Sequence, residues 1–262
     1  MIKLSKLPDF LAEVKSGVPA MPYTHYHHAY ELYYLEAGRR EYLVEDKFFT
    51  ISAGDFVLIK PNVLHRTTGG YSLRTLICFS PAFFQKTYTP AAAKHILKCF
   101  DNVLITPPEE MQGELKQLLH LLVESSNQID FANTLGVLLH MLSKCTSNYR
   151  YDRRISTIIK FIQQNFAEIN SIDEVANRLH ISKYYLCRLF KEATGTTLTE
   201  YINTIKIKNA CKFLETTDKN MLEIALICGF NSAGYFSSVF KSIMNNTPLE
   251  YRQKQKKTRE NL

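Results

Sequence analysis

The stretches SKYYLCRLFKEATGTTLTEY (182–201) and SAGYFSSVFKSIMNNTPLEY (232–251) decide the reading of this chain. Shifted by 50 residues, one lies on the other without a gap: Ser182 falls on Ser232, Phe190 on Phe240, Lys191 on Lys241, Thr197 on Thr247, Glu200 on Glu250 and Tyr201 on Tyr251. Leu186 meets Phe236 at an equally apolar position. A register held this long marks one supersecondary unit that occurs twice.

Each copy reads as a short helix, a tight turn and a second helix. Ala225 stands four residues before Gly229, and Ala176 stands likewise before His180. A small residue lets two helices approach, and Gly takes the left-handed turn at no steric cost. Histidine is among the non-glycine residues enriched in that region. Ser182 and Ser232 are N-caps, and Ser171 with Glu174 reads as a capping box. In the first unit the second helix turns Leu186, Leu189 and Phe190 inward and Lys183, Tyr184, Cys187, Arg188 and Lys191 outward. Arg and Lys at helical spacing suit a major groove, where Arg reads guanine with two hydrogen bonds.

Working outward, the charge is uneven. The chain carries a formal +7; residues 1–150 hold 15 Lys/Arg against 14 Asp/Glu, and residues 151–262 hold 17 against 11. A basic back half expects a polyanion. An ordinary helical bundle with solvated basic faces is the competing reading, and two units in register within that basic half weigh against it.

Residues 155–253 resemble the DNA-binding domain of AraC/XylS-type transcription regulators. The carrying segments are SIDEVANRLHISKYYLCRLFKEATG (171–195) and EIALICGFNSAGYFSSVFKSIMNNTPLEYR (223–252). The resemblance implies seven helices, with two helix-turn-helix units joined by a helix near 199–214. It places base readers at Tyr184, Cys187 and Arg188 in the first unit, and at Ala233, Gly234, Tyr235, Ser237 and Ser238 in the second, with Lys241 on the backbone. Two departures stand out. The second reading face is built of small residues, so sequence readout is expected to lean on the first. Asn245-Asn246 replaces the family's usual Thr-Gly before Pro248, and Asn tolerates that turn.

Ahead of this, residues 20–80 have β texture: ELYYLEAG, EYLVEDKFFTI, DFVLIK and LRTLICF, with polar or Gly/Pro breaks between them. His25, His27, Glu31 and Gly38, then Gly54-Asp55, Pro61 and His65, resemble the two motifs of the cupin barrel. AraC-type regulators often carry such a barrel as sensor. Period-2 alternation puts His25 and His27 on one strand face and gives Glu31 and Tyr33 a shared parity, if no bulge intervenes. Three imidazoles and a carboxylate suit a divalent metal such as Zn, Mn, Fe or Ni. A polar effector pocket without metal, or plain packing, fits the same residues. Tyr23, Tyr26, Tyr30, Tyr33 and Tyr34 either stack on a small effector such as a carbohydrate or pack the barrel.

Between 109 and 146 the period becomes helical. Leu115, Leu118, Leu119 and Leu122, then Leu135, Leu138, Leu139 and Leu142, form two apolar stripes that pack on the barrel, serve a homodimer, or both. The fold expected is a two-domain α+β protein. Residues 1–146 form the cupin-like sensor, with its barrel at about 20–80 and helices at about 109–146. Residues 147–154 are the linker, and 155–262 form an all-α double helix-turn-helix domain. Six cysteines without a C-x-x-C pair suit reduced thiols, no stretch reaches the roughly 18 apolar residues of a membrane span, and the N-terminus is no secretory signal; the expected location is the cytoplasm. The expected function is a non-catalytic, effector-modulated promoter binder, with RNA polymerase a further partner. The alternative is a metal-dependent cupin enzyme with a helical appendage.

Overall fold

The computed structural model describes residues 9–18, 24–145 and 152–260. Tyr23 and most of the linker expected at 147–154 lie outside the described residues. The front half is a seven-stranded antiparallel assembly of β1 (Phe10–Gly17), β2 (Tyr30–Val44), β3 (Lys47–Ser52), β4 (Phe56–Ile59), β5 (His65–Thr68), β6 (Ser72–Phe79) and β7 (Leu104–Ile105). It is longer than the barrel expected at 20–80. β1 lies before it, pairing with β6, and β7 lies after it, pairing with β4. β1 is a half-exposed edge strand, so its apolar alternation is weak.

β2 organises the sheet. Its first part, from Tyr30, pairs with β4 and β6, and its second part, from Arg39, pairs with β3 and β5. Between them the register shifts at Leu35/Ala37, and Gly38 adopts φ 100°. A Cβ at Gly38 would stand 2.5 Å from the Tyr71 carbonyl oxygen. The bulge and the glycine bend one strand so that it serves two sheets. The sheets face each other across Tyr33, Leu35, Val57 and Ile59 on one side and Tyr42, Val44, Phe49 and Ile51 on the other.

The outer face of the first sheet (Leu32, Tyr34, Phe56, Leu58, Ile77, Phe79) packs under α1 (Pro81–Thr87), a 3-10 turn at Leu97–Asp101, α3 (Glu109–Glu124) and α4 (Gln128–Ser143). A further helix, α2 (Pro90–Ile96), precedes that turn. The leucine stripes are spent here. Leu115, Leu119, Leu122, Leu135, Leu138, Leu139 and Leu142 are buried and Leu118 is partly buried, all within this one chain. Those stripes are therefore closed to a second subunit. Leu121, Ile129 and Val137 are the exposed apolar residues of α3 and α4.

The back half holds α5 (Arg153–Asn165), α6 (Ile172–Arg178), α7 (Lys183–Thr194), α8 (Leu198–Thr216), α9 (Met221–Ile227), α10 (Ala233–Met244) and α11 (Pro248–Glu260). That is the seven-helix order the resemblance implies. The repeat's equivalences have a local cause. Thr197 and Glu200 form a capping box, and Thr247 and Glu250 make the same reciprocal bonds, at 2.8 and 3.2 Å. The box expected at Ser171 is only half formed: Ser171 accepts from the Glu174 amide, but Glu174 takes the N–H of Asn170 instead of that of Ser171. A third complete box, Asn220 with Glu223, opens α9.

The second sheet's outer face, with Leu43 and Leu64, joins the same apolar core as α5–α11, together with Tyr26. The two halves are thus packed on each other rather than merely tethered.

Candidate DNA-reading helices and sensor site

In the first helix-turn-helix unit, α6 ends in a turn where His180 takes φ 55°; in the second, Gly229 takes φ 77°. Both values lie in the left-handed region, which glycine favours. A Cβ on Gly229 would sit 2.3 Å from the Ala167 carbonyl oxygen, so this turn also needs glycine for space. Ser182 and Ser232 then cap α7 and α10, each accepting from the amide three residues on at 3.2 Å. Asn245 closes α10 at φ 58°, in the left-handed conformation that its small polar side chain tolerates.

Once the caps fix phase, sidedness follows. Leu186 and Phe190 in α7, and Phe236 and Phe240 in α10, are fully buried. Lys183, Tyr184, Arg188 and Lys191 are exposed, with Cys187 half-buried. Gly234, Tyr235, Ser238 and Lys241 are exposed on α10, with Ala233 and Ser237 half-buried. The Arg188 guanidinium carbon lies 5.8 Å from the Tyr184 ring centre, and Lys183 is tied to Asp173 of α6 at 2.7 Å. Tyr184 is 76% exposed, a large aromatic held in solvent.

Both units rest on α8, and a residue the sequence reading passed over ties them together. Lys206 is buried, and its Nζ donates to the carbonyls of Ile169, before α6, and Gly229, in the second turn, at 3.0 and 2.6 Å. Its charge lies 5.5 Å from the Phe230 ring centre. Burial lowers its pKa. A lone Lys inside a helical pattern carries no sequence signal for such a brace, because its partners are backbone carbonyls from two other elements.

In the front half, His25, His27 and His65 are all buried, and their candidate donor atoms lie within 4.8 Å of one another. Residues 26–29 are not a strand, so the grouping does not come from unbroken alternation. It comes from a single bridge, in which His25 and His65 exchange two backbone hydrogen bonds of 2.9 Å. His27 Nε2 sits 2.9 Å from Glu31 Oε2, and His65 Nε2 sits 3.7 Å from the same oxygen. Both rings pack their Nδ1 against a carbonyl, that of Ala29 for His27 and that of Val63 for His65, at 3.0 and 2.9 Å. Burial opposes the charge on Glu31, but the bond to His27 and the nearby His65 imidazole prevail and hold its carboxyl well below the usual range. Burial likewise opposes protonation of His27, and the bond to Glu31 outweighs it.

The tyrosines divide. Tyr33 lies among the interior residues with its ring 5.2 Å from that of Tyr42, while Tyr30 stacks on Phe79 and Tyr34 packs on Phe56, outside the barrel. Tyr26 points away from the histidines, into the core of the helical half. Among the described residues these tyrosines form no single ligand-lining wall.

The helix-turn-helix domain model matches residues 175–254, and the cupin domain model matches residues 10–75. The HTH-type transcriptional activator RhaS of Salmonella schwarzengrund is 25% identical over 94% of this chain and 95% of its own length; that of Citrobacter koseri is 24% identical over the same shares. An AraC-type DNA-binding regulator from Chromobacterium violaceum is 33% identical over 37% of this chain and 88% of that one, with TM-score 0.35. The chain carries an AraC-type helix-turn-helix domain behind a cupin domain. ToxT from Vibrio cholerae is 17% identical over 94% of this regulator and 98% of that chain, with TM-score 0.39. No described helix of the regulator is long and apolar enough to cross a membrane.

Proposed function

We propose that this regulator binds promoter DNA as a homodimer, reading sequence chiefly with α7 and holding the backbone with α10, and that a small molecule or ion held by its cupin-like domain modulates that binding. The carrying observation is the pair of serine-capped helices, each buried along one face (Leu186 and Phe190 in α7, Phe236 and Phe240 in α10) and exposed along the other, with Lys183, Arg188 and Lys191 on α7 and Lys241 on α10. On this reading Tyr184, Cys187 and Arg188 meet base edges, and Ala233, Gly234, Tyr235, Ser237 and Ser238 lie close to the duplex. Lys183, Lys191 and Lys241 meet phosphates. The small residues at most of the reading positions of α10 support a backbone role for it.

The front domain acts as a sensor and not as an enzyme, and the protein works in the cytoplasm, contacting RNA polymerase at the promoter. Dimer contacts use surface outside the leucine stripes, with Leu121 and Val137 exposed on α3 and α4.

The deciding experiment is selection of DNA sites from a random pool with the full chain, repeated with candidate metabolites and metal ions. Enrichment of one motif, strengthened or weakened by an added ligand, is expected. Retention of all sequences alike, or of none, would overturn the reading.

A further inference from the structure

β1 bounds the front sheet on one side, and its outer edge is open. It pairs with β6 in a register that sets Phe10 opposite Phe79 and Gly17 opposite Ser72. One step further along the same register, the Ser80 N–H donates to the Asp9 carbonyl at 2.8 Å. Main-chain groups alternate sides along a strand, so Asp9 and the odd-numbered residues after it turn theirs to β6. Ala12, Val14 and Ser16 then turn N–H and C=O outward. Among the described residues, those outward groups meet no backbone partner. Val14 is 51% exposed, and a Cβ at Gly17 would meet nothing within 4 Å.

The strand itself is firmly anchored. The Phe10 ring lies 4.6 Å from that of Phe131 and 5.4 Å from that of Phe83, and Ala12 packs in the same apolar layer. β1 contains no proline and keeps an unbroken register against β6, so two common guards against strand addition are missing. Charge is the third guard. The charged residues of β1 are Glu13 and Lys15, which pair with each other at 2.5 Å. They obstruct a strand of unrelated sequence, but they complement a second β1.

An antiparallel pair of β1 strands, bonded through their outward residues, can be centred on Val14. Val14 then exchanges both hydrogen bonds with Val14 of the second copy, and Ala12 stands opposite Ser16. On the other face Glu13 stands opposite Lys15, twice over by symmetry. Lys15 already lies opposite Arg74 of β6, so a second carboxylate beside it is favourable. The two adjacent registers that keep the outward groups bonded are centred on Glu13 and on Lys15. Each sets like charges face to face, which destabilises it. Charge thus selects the Val14 register over its neighbours.

Resting on the homodimer reading above, we propose that β1 pairs antiparallel with β1 of a second copy, centred on Val14, and joins the strand path β1-β6-β2-β4-β7 of each copy edge to edge. The surface is the same on both copies, so the pairing closes as a dimer and does not propagate into a fibre. Main-chain hydrogen bonds supply the attraction, and the Glu13–Lys15 pairs supply the register. None of these residues belongs to α7 or α10, so the edge and the DNA-reading faces are separate surfaces of one chain.

The test is sedimentation of the full chain without DNA over a range of concentrations, with melting curves to confirm that each variant folds. Val14→Pro removes an outward N–H that a single copy does not use, so the fold should stand while the dimer weakens by about tenfold or more. Glu13→Lys and Lys15→Glu each turn both symmetry-related attractions into repulsions, and each should weaken the dimer about tenfold. Mixed one to one, these two variants should recover the wild-type dimer strength, because every cross-strand pair is then of opposite sign. A folding defect in either variant is not repaired by mixing. A wild-type chain that stays monomeric throughout overturns this inference and the homodimer reading together. A dimer that survives Val14→Pro and both charge exchanges overturns the strand pairing and leaves the homodimer reading standing. Weakened single variants whose mixture stays equally weak overturn the Val14 register.

Discussion

At the scale of single residues, function and fold make opposite demands on the two faces of α7. Arg188 is exposed beside Tyr184, and the proposed reading sets it at a base edge. Arg188→Ala is expected to cost about 1–3 kcal/mol of operator binding and to relax preference at one base pair, measured against a panel of single-base variants of the selected site. Equal weakening on every variant would assign Arg188 to phosphate. Gly229 has no such freedom. Its positive φ and the Ala167 carbonyl both exclude a Cβ, so Gly229→Ala should lower stability by at least about 1 kcal/mol, read as a drop in melting temperature. The matching position, His180, already pays that strain, and a His180→Gly exchange should raise the melting temperature. Residues such as His180 and Gly229 were legible because turn stereochemistry is local. Lys206 and Arg66 were not, because their partners are carbonyls and rings brought from elsewhere in the chain.

At the scale of elements, the repeat turns out to be a repeat of caps as much as of cores. Thr197 with Glu200 and Thr247 with Glu250 start α8 and α11 with the same pair of bonds. Thr247→Ala should cost about 0.5–2 kcal/mol, seen as earlier melting and faster amide exchange at the start of α11. The box read at Ser171 shows where element-level reasoning loosens. The spacing predicts the pair, but Glu174 accepts from Asn170, one residue ahead of the cap. The strands show a similar limit. β1 escaped notice because an edge strand needs only one good face, and the bend in β2 depends on how closely Tyr71 passes Gly38.

At the scale of the whole molecule, one lysine bridges the two units. Lys206 holds Ile169 of the first unit and Gly229 of the second. Lys206→Met keeps the stem and leaves two buried carbonyls without their cation, an expected loss of about 1–3 kcal/mol. Its telling readout is DNA: tolerance for altered spacing between the two parts of the operator should rise. Loss of stability with spacing preference intact would mean that α8 alone fixes the geometry. The uneven charge adds a further expectation. Operator affinity should fall linearly in log–log coordinates with salt, by a slope of about 0.9 per phosphate neutralised, and each of Lys191→Ala and Lys241→Ala should reduce that slope by about one.

What the amino-acid order settled by itself was everything carried by short-range stereochemistry and periodicity: the doubled unit, its caps and turns, the inward and outward faces of α7, and the apolar stripes of α3 and α4. These depend on residues within a few positions of one another. The tertiary structure alone decided which surfaces meet. The leucine stripes went to the sheet and not to a second subunit, His25 joined His65 through one bridge, and Tyr26 and Arg66 turned outward onto the helical half. The bond from Arg66 to Gly195 alone joins residues 129 positions apart. At such separations local preference no longer discriminates among partners, and only the shared burial of apolar surface and the satisfaction of backbone groups select one.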